Sequence, residues 1–259
     1  MNLALATIPG DPEHPNEDWL GACLPASGSG GALVALDGVT PPRSGTGCSH
    51  GVPWFVARLG GRLVELSASR RDLTLGEILS DSISDTADSH RQTCDLSHVR
   101  TPQATVVLAR WDRSRVEYLV LSDSVLLLRT PAGGVRAVRD DSLDRLPPGV
   151  RSSVAATDAL RNADGGFFTA AADPAVSERA VTGEVPRAEV QALAALTDGA
   201  SRWRDAFAAG DWVDCMDVLR TEGPQGLLAR VRELERAEPC GRTRRGKVHD
   251  DATAAYAEL

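Results

Sequence analysis

The sequence predicts an α+β fold with antiparallel sheet, and three observations lead there. Four β-branched or leucine-rich runs succeed one another: Thr105 to Trp111, Val116 to Leu121, Val125 to Thr130 and Val135 to Val138. Turn-forming residues, Asp112-Arg113-Ser114 and Pro131-Ala132-Gly133-Gly134, separate them, so they read as a meander. The meander follows a pair of helices and does not alternate with helices, which argues against a wholly parallel sheet. Last, several short apolar runs end in an acidic residue, which places carboxylates at strand ends.

Taken in order, Leu3 to Thr7 and Trp19 to Cys23 read as short strands either side of a Pro/Gly-rich loop. Ala32 to Leu36 is a compact apolar run preceded by Gly28, Gly30 and Gly31, and its length and flanks suit a buried strand. From about Ser49, the residues Val52, Phe55, Leu59, Leu63 and Leu66 recur at three- and four-residue steps, one face of a helix. A second helix starts sharply. Thr74 with Glu77 is a capping box, Leu73 with Ile78 a hydrophobic staple, and Leu75, Ile78, Leu79 and Ile83 form a stripe running toward His90. Val150 to Arg161 fits a helix, although the region from Pro147 to Pro186 gives no clear pattern. Val190 to Leu196 is alanine-rich and fits a strand or a helix. Helical stretches follow near Arg202 to Ala209, Trp212 to Arg220 and Gly226 to Glu238, and Thr253 to Leu259 suits a last edge strand. No repeat divides the chain, which is read as one domain over residues 1–259.

Composition narrows the function. A hydrophobic content of 42% supports a core, and 4% aromatic content means that Ala, Val and Leu build it. The net charge of -8 argues against nucleic acid as a partner, since a backbone binder needs clustered positive charge. No apolar run approaches the roughly 20 residues that span a bilayer, so no membrane is expected. The N-terminus lacks a secretory pattern. The cysteines, Cys23, Cys48, Cys94, Cys215 and Cys240, are scattered without a CxxC pair, as for reduced thiols in a cytoplasm.

The acids carry the chemistry. Asn16-Glu17-Asp18, Leu36-Asp37-Gly38, Thr197-Asp198-Gly199 and Asp250-Asp251-Ala252-Thr253 each lie at the edge of an apolar run. Anions that converge in a fold need a counter-charge, and oxygen donors suit Mg or Mn. Two divalent ions carry four positive charges, of which Asp37, Asp198 and Asp250 would offset three and a phosphate the rest.

The order NED, LDG, SDS, TDG, DDAT resembles the metal-dependent serine/threonine protein phosphatases of the PPM type, from Asn16 to Thr253. The resemblance implies a four-layer αββα sandwich, two antiparallel sheets flanked by helix pairs. It implies hydrolysis of phosphoserine and phosphothreonine in a phosphorylated protein substrate, by water bridging two Mg or Mn ions. It assigns Asp37 to both metals, the Gly38 carbonyl to one, and Asp198 and Asp250 to the second. Glu17 would hold a water of the metal shell with Asp18 behind it, and Asp123 in Leu121-Ser122-Asp123-Ser124 would join Asp198 at a weaker third site.

This chain departs from the family pattern in several places. Family members usually carry an arginine shortly before the Glu-Asp pair, where Glu13 stands here; Arg43 is the candidate replacement for gripping substrate phosphate. Val39 takes the place of a histidine proposed elsewhere as general acid, and His50 is the substitute proton donor. Asp251 stands where the family usually has Asn, either tightening metal binding or facing solvent. Two other readings follow from these departures: a catalytically weak module that binds a phosphorylated partner, and a hydrolase of small phosphomonoesters.

Two further clusters stand apart. His90, Cys94 and His98 would share a face of a continuous helix, a zinc-like spacing lacking an evident fourth ligand, for which Cys48 and His50 are the candidates. The basic run Arg242-Thr243-Arg244-Arg245-Gly246-Lys247 suits either a solvated loop or an acidic partner.

Overall fold

A computed structural model describes residues 1–27, 29–41, 45–237 and 248–259. Gly28, Arg43, Cys240 and the basic run 242–247 lie outside the described residues.

Ten strands form two antiparallel sheets of five. One runs β1 (Asn2–Ile8), β10 (Ala252–Glu258), β9 (Ala192–Leu196), β6 (Val125–Arg129), β7 (Val135–Arg139). The other runs β2 (Trp19–Cys23), β3 (Gly31–Gly38), β4 (Ala104–Trp111), β5 (Arg115–Leu121), β8 (Val181–Pro186). Helices α1 (Val52–Ser69) and α2 (Leu75–Asp88) cover the second sheet, and α4 (Asp198–Asp205) and α5 (Trp212–Ala237) cover the first. The short α3 (Val154–Leu160) stands outside these layers.

Why these runs are apolar throughout is plain from the layering. Along β3, Val34 and Leu36 pack against α1 and α2, whereas Leu33 and Ala35 pack against the opposite sheet. Both faces are buried, so the usual period-two alternation of polar and apolar residues disappears. The same logic makes a strand of the alanine-rich β9. Leu193 and Ala195 enter the core between the sheets, while Ala192, Ala194 and Leu196 meet α4 and α5. Burial on two sides here overrides alanine's preference for helix. The expected capping box is formed: Thr74 Oγ1 accepts from the Glu77 N–H at 3.2 Å and Glu77 Oε2 accepts from the Thr74 N–H at 2.8 Å. Leu79 of this helix is fully buried, and truncating such a side chain to Ala costs about 2–5 kcal/mol.

The four-layer αββα expectation holds, with corrections. The runs from 104 to 139 are not one meander: β4 and β5 pair in one sheet, β6 and β7 in the other. The chain changes sheets at Ser122-Asp123-Ser124, where Ser122 takes a positive φ of 69°. β10 is no edge strand, since it lies between β1 and β9. Segment 181–186, unreadable in the sequence, supplies the edge strand β8. The two expected C-terminal helices are α5, broken at Gly223 (φ 73°) ahead of Pro224. Among the described residues no helix is long and apolar enough to cross a membrane.

Candidate functional site

Five acidic residues reach one end of the sandwich on four segments. Asp37 is the penultimate residue of β3, paired in register with Thr105 of β4. Asp198 opens α4 directly after β9, and Asp250 and Asp251 lead into β10. Asp123 sits in the crossing between sheets. Asp37, Gly38, Asp123, Asp198 and Asp250 all line one cavity of about 340 Å³, with Thr105, Arg151 and Arg161 also on its wall. Glu17 lines a neighbouring cavity that shares Thr40 and Asp250 with the first, and Thr40 Oγ1 donates to Glu17 Oε2 at 2.5 Å.

Each member of the Asn16-Glu17-Asp18 segment is pinned. Asn16 donates to Thr7 Oγ1 at 2.8 Å and accepts from the Asp18 N–H at 2.9 Å. The Glu17 N–H donates to Asp251 Oδ2 at 2.7 Å, and the Gly10 N–H donates to Asp251 Oδ1 at 2.8 Å. Asp251 therefore has a local task that the sequence did not announce. Its carboxylate fastens the loop that carries Glu17. Thr197 Oγ1 donates to Asp18 Oδ2 at 2.9 Å, while the other oxygen, Asp18 Oδ1, is buried with no hydrogen-bond partner among the described residues.

The two glycines of the Asp-Gly pairs are required by close approach. The Gly38 N–H donates to the Glu17 carbonyl at 3.1 Å, and a Cβ at 38 would collide with that carbonyl and with Val52. A Cβ at 199 would collide with the Asp251 carbonyl. Each glycine thus lets one acid-bearing segment lie against another.

Behind the site, Glu235 of α5 is buried between Arg202 (2.7 Å), Arg232 (2.6 Å) and His249 (2.7 Å). Arg232 also donates to the Asp250 carbonyl at 2.6 Å. One carboxylate thereby secures both the helix that begins with Asp198 and the segment that carries Asp250.

The electrostatics reflect the crowding. Burial, then the negative charges of Asp198, Asp18, Asp123 and Asp250, hold the Asp37 carboxyl well above its ordinary value. Burial pushes Asp18 up to about 8 against the bonds from Thr253 and Thr197, with Asp251 and Asp198 adding to the rise. Facing these acids, Arg161 follows α3 as its C-cap, its guanidinium carbon 4.9 Å from the centroid of the Phe167 ring. Burial lowers its pKa, and its Nε has no hydrogen-bond partner among the described residues. Sequence reasoning missed Arg161 because nothing local distinguishes it from any arginine at a helix end.

His50 is not among the residues lining either cavity. Its ring stacks on Trp54 with centroids 4.0 Å apart and faces Cys48 and Cys94.

No family model matches the sequence, and no curated protein matches it. Solved structures do. The serine/threonine phosphatase Stp1 from Staphylococcus aureus superposes with a TM-score of 0.62 at 13% identity, over 99% of this chain and 94% of that one. The serine/threonine phosphatase PstP/Ppp of Mycobacterium tuberculosis gives 0.57 at 15% identity, over 100% and 98%. The serine-threonine phosphatase 2C from Toxoplasma gondii gives 0.57 at 15%, over 98% and 93%. The chain has the fold of these serine/threonine phosphatases along nearly its whole length.

Proposed function

We propose that residues 1–259 work as one phosphatase domain that hydrolyses phosphoserine and phosphothreonine in proteins, with Mg or Mn, in the cytoplasm. The observation that carries the reading is Asp37: half-buried, it lines one cavity with Asp123, Asp198 and Asp250, and the charges of these and of Asp18 crowd its carboxyl. Such a set of oxygen donors cannot all ionise without a cation, and hard divalent ions fit them. The orphaned Asp18 Oδ1 behind them points the same way.

In this reading Asp37, the Gly38 carbonyl, Asp198 and Asp250 would hold the ions, and Asp123 with Asp198 would offer a weaker further position. Bound there, the ions supply the charge that lets water ionise near neutral pH and that offsets phosphoryl oxygens. The protein's own part is positioning. Thr40 and the Asp251-bound N–H orient Glu17 toward water at the cavity mouth. Arg161, half-buried on the cavity wall, grips the phosphate oxygens, the work assigned at first to Arg43. A charged hydrogen bond of that kind contributes about 1.5–3 kcal/mol.

The test is turnover of a phosphothreonine peptide with added Mn. Activity is expected to need the metal and to vanish in Asp37→Asn and Asp198→Asn. Turnover that survives in both proteins sinks the proposal. Retained phosphopeptide binding with no turnover in the unmodified protein would favour a binding module, and faster turnover of small phosphomonoesters than of peptides would move the substrate class.

A further inference from the structure

A second donor cluster lies away from the carboxylate cavity. Cys48 and His50 sit in the loop before α1, and His90 and Cys94 follow the end of α2. Residues 89–93 are turns and Cys94 a bend, so His90, Cys94 and His98 do not share a helix face, and His98 is not part of the group. The four ligand atoms of Cys48, His50, His90 and Cys94 lie within 4.8 Å of one another.

Their spacing is that of a coordination shell. Zinc binds sulfur at about 2.3 Å and imidazole nitrogen at about 2.0–2.1 Å, so sulfur and nitrogen on one tetrahedron lie roughly 3.5 Å apart. Cys48 Sγ stands 3.7 Å from His50 Nδ1 and 3.4 Å from His90 Nδ1, and Cys94 Sγ stands 3.4 Å from His50 Nδ1. The two sulfurs, 2.6 Å apart, are closer than a tetrahedron edge, and would open by roughly 1 Å around an ion. Backbone donors already serve both sulfurs: the Ser49 N–H at 3.3 Å from Cys94 Sγ, the His50 N–H at 3.4 Å from Cys48 Sγ. Such bonds orient thiolates and ease their charge. Trp54 walls the group, stacked on His50 and tilted toward His90 at 5.1 Å.

We propose that Cys48, His50, His90 and Cys94 bind a structural zinc ion. All four positions of a tetrahedron come from the protein, which leaves none open for substrate and marks the site as structural. The ion joins two segments that are otherwise tied there by the Asp95 N–H donating to the Gly47 carbonyl at 2.7 Å. One segment descends from Asp37-Gly38. The other leads through Gln103, whose carbonyl accepts from the Val39 N–H at 2.9 Å, to Thr105 on the cavity wall. The clamp would hold both chain segments that leave the carboxylate site.

The test uses the full chain, produced with added zinc and passed through a desalting column. Elemental analysis is expected to find about one zinc per chain, and X-ray absorption a shell of two sulfurs and two nitrogens. Replacing zinc by Co²⁺ should give the intense visible bands of tetrahedral sulfur coordination. Cys48→Ser and Cys94→Ser should lose both metal and bands, while Asp37→Asn keeps them. The cobalt spectrum and the absorption shell need no variant, so a misfolded serine protein does not block the test. Three results overturn the proposal: no zinc above buffer level, an oxygen-only shell, or a Cys48–Cys94 disulfide in protein purified under reductant.

Discussion

The two donor clusters face the same charge problem and answer it with different atoms. At the sheet ends, oxygen donors surround an open cavity, and arginine waits on the opposite wall. Beside α1 and α2, sulfur and nitrogen donors close on themselves beneath Trp54. Hard donors with room for water suit a reacting site, and soft donors without it suit a brace. In both clusters burial and neighbours drive acidic groups up. Asp37 rises well above its ordinary value, and burial with the bond to Cys94 takes Cys48 up to about 11. For Cys94 burial works against ionisation, but bonds from Cys48, His50, His90 and Ser49 outweigh it and bring the thiol down to about 5. The two thiols are thus pushed in opposite directions, whereas the aspartates only raise one another.

Asp37→Asn or Asp198→Asn should lower Mn-dependent kcat on a phosphopeptide by on the order of 100-fold or more, since even an outer partner of a metal site is worth 10–100-fold. The sulfur site should respond in stability instead: Cys94→Ser is expected to lower Tm by roughly 5–15 °C in zinc, seen by calorimetry, with a smaller change in kcat. Equal losses of kcat in both variants would erase the distinction. Next in size, Arg161→Ala should reduce kcat/KM by roughly 10-fold or more, chiefly through KM, with Arg161→Lys intermediate. A parallel Arg43→Ala protein shows which arginine does the work.

A pH series sharpens the electrostatic half. Asp18 is raised from 3.8 to about 8 in the folded, metal-free chain. The folded state then holds its proton more tightly than the unfolded one, so the stability it contributes is present at low pH and lost as pH rises across that window. Thermal melts without metal should fall over pH 4 to 8, by at most ~1.4 kcal/mol per pH unit from this group, and Asp18→Asn should flatten the slope. A slope unchanged in Asp18→Asn would remove Asp18 from the account. The smallest effect is expected for Asp251→Asn, about 1 kcal/mol in a denaturation curve, because losing one accepted bond is offset by less repulsion with Asp18.

How much of this was legible follows from range. The Asp37-Gly38 and Asp198-Gly199 pairs announce themselves because each ends a short apolar run, and strand ends collect at one side of a sandwich. The capping box at Thr74 is local and was readable in full. The assignment of β6 and β7 to the other sheet was not, since it turns on one backbone angle at Ser122 that no residue type announces. The meeting of Cys48 with Cys94 depends on how two helices pack, and the helical spacing of His90, Cys94 and His98 pointed to the wrong trio. Asp251 looked like a spare acid until its two backbone donors were visible.

Glu235 gives the oxygen site a particular way of failing. It sits in another layer from β3, yet Arg202 and Arg232 transmit its hold to the last turn of α4, the helix that Asp198 begins, and to the residue before Asp251. Two acid-bearing segments that arrive from distant stretches of chain are moored to a single post. Wear at that post releases both together, so damage would register as an abrupt switch-off while the β3 side stands intact.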